Sequence, residues 1–170
     1  MRFAKTFLSV FLLLLVSSTS ATGKFEVHDA WVREAPPKTN VTAAYLTLYN
    51  HSLRVYTLAR LSSPDFKRVE MHRTEQHDNM TKMLPVPQVI LNSKDHIVFQ
   101  PGGMHLMLID PKKRFRVGDN ITLTLFFTDE GSTENSIEIS LEISLPVKKA
   151  MVDNSHGMHH NQHDSHSHQH

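Results

Sequence analysis

The chain has 170 residues, 18 Lys and Arg against 17 Asp and Glu for a formal net charge of +1, and no cysteine. Balanced charge and a single tryptophan give no basic stripe interleaved with aromatics, so nothing points to nucleic acid. The missing thiols exclude disulfides and the commoner cysteine routes to copper, zinc or iron–sulfur binding.

At the N-terminus Arg2 and Lys5 give a positive start, Phe7 to Val16 is an apolar run broken only by Ser9, and Ser17 to Ala21 is small and polar. That order is the order of a secretory signal peptide. The run is about half the roughly 20 residues that a membrane-spanning helix needs. Residues 1–22 are therefore expected to be an export signal, cut after Ala21 or Gly23, with no transmembrane anchor remaining and no cysteine for lipid attachment. The mature chain is expected to comprise one domain, residues 23–147, and a tail, residues 148–170.

The domain reads as short strands punctuated by turns. Candidates are Phe25 to Arg33, Ala43 to Tyr49, Val55 to Leu61, Lys67 to Met71, His96 to Gln100, Met104 to Ile109, Ile121 to Phe127 and Ile137 to Leu145. The last has the clearest period of two, with Ile137, Ile139, Leu141, Ile143 and Leu145 on one face and Glu138, Ser140, Glu142 and Ser144 on the other. Ala35-Pro36-Pro37-Lys38 and Pro101-Gly102-Gly103 are loops. No stretch carries a helical stripe. The expected fold class is all-β, an antiparallel β-sandwich of seven to nine strands with Greek-key connections. The tail holds seven of the thirteen histidines, His156, His159, His160, His163, His166, His168 and His170, and has little apolar to bury. It is expected to be disordered without metal.

Four residues carry the chemistry: His72, Met83, His105 and Met107, spaced His-x10-Met-x21-His-x-Met. Thioether sulfur is a poor ligand for zinc, calcium or magnesium and a good one for Cu(I), so two imidazoles and two thioethers make a soft, uncharged set suited to cuprous ion. His105 and Met107, two apart on a strand, share a face, with Leu106 and Leu108 turned to the core. His72 is expected just past a strand ending at Met71. Met83 is expected to open a segment after a hairpin connection, so that two hairpins bring one His and one Met each to a common rim. Met71, Met80, Met104 and His77 are alternative or supporting ligands, or simply packing and turn residues. The tail histidines suit Cu(II), which heads the divalent affinity order, or Ni(II) or Zn(II).

The motif, together with Val27-His28-Asp29-Ala30-Trp31-Val32-Arg33, Ala43-Ala44-Tyr45-Leu46-Thr47-Leu48-Tyr49-Asn50 and Pro101-Gly102-Gly103-Met104-His105-Leu106-Met107-Leu108, resembles the periplasmic copper chaperones called PCu(A)C over about residues 26 to 146. The resemblance implies a cupredoxin-like sandwich in the periplasm, binding one Cu(I) through those four side chains. It also implies delivery to the CuA centre of cytochrome c oxidase subunit II alongside a Sco-type protein. The family often has Met directly after the first His; here Met71 precedes His72 and Arg73 comes after it. With no HExxH helix, nucleophile elbow or paired carboxylates, the chain reads as a carrier and not an enzyme. Competing readings are a periplasmic copper buffer or resistance protein without a dedicated acceptor, a zinc or nickel scavenger driven by the tail, and a plain adhesion sandwich.

Overall fold

A computed structural model describes residues 23–77, 80–129 and 138–149. The proposed signal (residues 1–22), the turn at Asp78-Asn79, Ile137 and the tail from Ala150 onward lie outside the described residues. Ten strands are present: β1 Phe25–Arg33, β2 Val41–Asn50, β3 Tyr56–Ser62, β4 Phe66–His77, β5 Met80–Pro85, β6 Val89–Leu91, β7 His96–Phe99, β8 Met104–Pro111, β9 Asn120–Asp129 and β10 Glu138–Lys148. There is no helix among the described residues, and hence none able to cross a membrane. The all-β expectation holds.

The strands run β5-β4-β8-β2-β1-β10-β9-β3-β6, with β7 also on β2. The path folds back so that the inward faces of β4-β8-β2-β1 and β10-β9-β3-β6 enclose one core, with β5 outside it. Phe25 of β1 stacks on Phe127 of β9 at 3.9 Å and meets Tyr56 of β3 edge-on at 5.0 Å. Alternation explains the layering: in β9 Ile121, Leu123, Leu125 and Phe127 are fully buried, and in β10 Leu145 and Val147 continue the inward row. Burying one such side chain stabilises by about 1.5–3 kcal/mol. Neighbours distant in sequence (β4–β8, β2–β8, β3–β9) are the long connections of a Greek-key arrangement.

Three features differ from the sequence expectation. The pairs are antiparallel except one: β1 and β10 close the fold in parallel, Val32 opposite Val147 and Arg33 opposite Lys148. That seam comes from chain ends, which no local alternation announces. β4 continues six residues past Met71, so His72 lies inside a strand and Met83 inside β5. Finally, β7 and β8 do not form a hairpin. Both pair antiparallel with β2, β7 beside Leu46–Tyr49 and β8 beside Val41–Ala44, so they are one line interrupted by the turn at 100–103.

Candidate metal site

Cross-strand register places the four residues on one outer face. His72 of β4 stands opposite His105 of β8, and Glu70 opposite Met107. On the other side of β4, Met83 of β5 stands opposite Thr74. Side chains at alternate positions share a face, so His72, Thr74 and Glu70 share theirs with Met83, His105 and Met107. Leu106 and Leu108 point the other way and are fully buried. The site is thus built from β5, β4 and β8 in adjacent rows: β4 and β5 pair as the expected hairpin, and β8 stands in place of a second one.

The turn before β8 fixes one imidazole. Gly102 has φ 75°, in the left-handed region that favours glycine, and the backbone N–H of Gln100 donates to the Met104 carbonyl at 2.6 Å. The excursion leaves the Gly103 carbonyl to accept from the Thr74 N–H at 3.1 Å and from His105 Nδ1 at 3.1 Å. With its proton on Nδ1, His105 keeps the Nε2 lone pair for a ligand, in a residue only 5% exposed.

His72 is held in the opposite sense. Its Nε2 donates to Glu70 Oε2 at 3.0 Å, while Arg68 donates to Oε1 of the same carboxylate at 3.1 Å. The other nitrogen, Nδ1, is buried and has no hydrogen-bond partner. A buried polar atom without a partner is costly, and this one carries a free lone pair. The ring centroids of His72 and His105 are 6.1 Å apart, tilted by 38°. Two imidazoles bonded to one metal at about 2.0 Å have centroids about 6.4 Å apart when opposed and about 5.2 Å apart at a tetrahedral angle. The observed separation lies within the upper limit, and the rings would close up slightly around a four-coordinate ion.

The thioethers flank this pair. Met83, His105 and Met107 line a groove of about 490 Å³ with Thr74, Tyr45 and Arg33. Met107 is half-buried beside Ala43, whereas Met83 is 56% exposed on the edge strand. Tyr45 is buried; burial pushes its phenol up, partly offset by Arg33. A β-bulge between His28 and Trp31 brings Trp31 opposite Tyr45, with rings 4.7 Å apart.

Of the other candidates, Met71 is buried and joins the core, and Met104 packs against it, so both face away from the groove. Met80 is three residues from Met83 on β5 and so sits on the other face, exposed. His77 pairs with Met80 in register, and its side chain lies outside the described residues. The tail histidines His156, His159, His160, His163, His166, His168 and His170 lie there too. Glu70 and Tyr45 escaped the sequence reading. Glu70 was legible in principle, since it precedes His72 by two residues on a strand and so shares its face. Among the described residues no three His, Asp or Glu side chains form a metal cluster.

The architecture is that of PCuAC domains, a cupredoxin-like sandwich. The copper-bound PCuAC domain from PmoF2 superposes with a TM-score of 0.57 at 23% identity, covering 75% of this chain and 95% of that one. The CuI-DR1885 solution structure from Deinococcus radiodurans gives 0.50 at 27% identity over 72% of this chain and 76% of that one. The model of the family described as "Putative lipoprotein LpqE-like" matches residues 25–139, and the chain belongs to that LpqE-like family. A curated relative, the Uncharacterized protein RP573 of Rickettsia prowazekii (strain Madrid E), is 36% identical over 93 residues, 54% of this chain. The chain spans about half the length of that relative, 51%.

Proposed function

We propose that this chain is a periplasmic carrier of cuprous ion, binding one Cu(I) through His72 Nδ1, His105 Nε2 and the sulfurs of Met83 and Met107, and passing it to the CuA centre of cytochrome c oxidase subunit II. The observation that carries the reading is the imidazole pair: each ring is anchored through one nitrogen and offers the other to the same face. Solved relatives named as copper-bound support the metal, and their names include a CuI form. Membership of a family named for lipoproteins supports export, which the N-terminal residues suggest independently.

The ligand set suits transport better than catalysis. Neutral imidazoles and thioethers favour the reduced ion, and without a thiolate the site lacks the donor that characterises blue-copper electron transfer. Met83, exposed on an edge strand, is the ligand an incoming acceptor reaches first. Exchange begins there, while His105 and Met107 hold the ion from the sheet. A Sco-type protein is the proposed companion in delivery.

The test is a Cu(I) titration against a chromophoric chelator with His72→Ala, Met83→Leu, His105→Ala and Met107→Leu in turn. Each variant should lose affinity by about 100-fold, no less than the loss of a ligand's hydrogen-bond partner costs. Unchanged affinity in both methionine variants sinks the site and favours scavenging by the tail. Transfer is read separately, by mixing the loaded chain with the apo soluble domain of oxidase subunit II. Tight binding without transfer would favour a copper buffer or resistance protein.

A further inference from the structure

A second cavity, of about 290 Å³, opens beside the metal groove at the seam between the two layers. Its floor is apolar: Val32 and Ile121 are fully buried, and Val147 nearly so. One wall is the stacked pair Phe66 and Phe115, 5.5 Å between ring centroids. Its lining also carries Arg33, Lys38, Lys113 and Arg114, and no carboxylate. None of these four cations forms an ion pair with a carboxylate among the described residues, where the paired arginines are Arg54, Arg60, Arg68 and Arg73. Lys113 instead lies 5.0 Å from the centre of the Phe115 ring.

Four like charges around one mouth repel one another until an anion enters, and a low-dielectric floor concentrates their field. Two of them are guanidiniums, whose planar forks match a carboxylate or phosphate with two parallel hydrogen bonds. The side chains of Val32, Ile121, Val147, Phe66 and Phe115 offer water no hydrogen-bond partner, so an apolar body against them gains by displacing it. The volume is at the small end of ligand cavities, which run from about 300 to 1,000 Å³.

We propose that this cavity binds an amphipathic anion: an apolar chain or ring among Val32, Ile121, Val147 and the two phenylalanines, with its carboxylate or phosphate head at Arg33, Lys38, Lys113 and Arg114. The site does not depend on copper binding. It shares Arg33 and the loop residues Pro36 and Thr39 with the metal groove, so its occupant sits directly beside that groove.

The probe is decanoate, titrated into the full chain without metal and followed by calorimetry and methyl NMR. Saturable one-site binding is expected, with the shifts concentrated at Val32, Ile121 and Val147. Decanol, with the same body and no charge, should bind about tenfold more weakly or worse, as should decanoate to the Lys113→Glu, Arg114→Glu double variant. Absence of saturable binding, shifts centred on Met107 instead, or equal affinity for decanoate and decanol overturns the proposal. The decanol comparison needs no variant, so it stands even if the charge reversals disturb folding. Vesicles distinguish the sources of the ligand. Cosedimentation with phosphatidylglycerol but not phosphatidylcholine, lost in the double variant, assigns a lipid headgroup; decanoate binding without cosedimentation assigns a free anion.

Discussion

At the scale of single residues, one nitrogen of each imidazole in the proposed site is tied down. The Gly103 carbonyl does this for His105 and Glu70 for His72. Removing such a partner commonly costs about 10–100-fold in metal affinity, because the ring can then turn or change tautomer. Glu70→Ala should therefore weaken Cu(I) binding by that factor while leaving thermal unfolding almost unchanged, since the carboxylate is a partly exposed group. Chelator competition and a melting curve on the same sample check both halves. A second prediction concerns Glu26, on the outer face near the other end of β2. His51 and His28 Nε2 approach its two oxygens at 2.6 and 2.9 Å. The His51 hydrogen bond chiefly, working against burial, which raises it, and helped by His28, holds the carboxyl below its ordinary 4.5. A carboxyl lowered in the fold stabilises above its unfolded value and loses that contribution as pH falls through the folded one. Glu26→Gln should thus lower the melting temperature slightly at neutral pH, with the gap to the parent closing as the pH drops below 4.5. A gap constant with pH would show that the ionised carboxylate is not responsible.

At the scale of elements, β4 and β5 form an arm that outruns the sandwich. Beyond the Thr74–Gly103 hydrogen bond β4 pairs only with β5, and every residue of β5 is exposed. This explains why the arm was hard to read. His72-Arg73-Thr74-Glu75-Gln76-His77 has no apolar face because it covers no core there, so the alternation that marks β9 and β10 is missing. β6, three residues long, was too short to show any period. By contrast, the shared face of His105 and Met107 was legible because an i, i+2 relation needs only that the segment be a strand. The spacing singled out the four proposed ligands; only the register shows that His72 opposes His105 and that Met83 lies one row outside them. The arm yields a paired prediction. Met71→Ala removes a buried core side chain and should cost about 2–5 kcal/mol in denaturant unfolding with little effect on Cu(I) affinity once folded. Met83→Ala, at an exposed position, should change stability by less than about 0.5 kcal/mol yet lose most of the Cu(I) affinity. The opposite pattern would place Met71, not Met83, at the metal.

At the scale of the molecule, the parallel seam between β1 and β10 decides where the chain leaves the fold. Glu34 donates its backbone N–H to the Lys148 carbonyl at 2.9 Å, and Arg33, opposite Lys148, lines the metal groove with His105 and Met107. Lys148 therefore lies at the rim that carries the proposed Cu(I) site, a consequence of topology invisible in composition alone. From Lys149 to His170 an extended chain reaches at most about 70 Å, far more than is needed to bring imidazoles over the groove. Among the described residues the buried cluster runs from Phe25 to Val147. Ending the chain after Lys149 should accordingly leave thermal stability and the single Cu(I) site intact while lowering the total copper bound and abolishing most uptake of Cu(II), the ion that imidazole-rich segments prefer. Equilibrium dialysis with each oxidation state, on full-length and shortened chains, separates the two stores. If Cu(II) uptake survives the truncation, the divalent ion is not held by the tail.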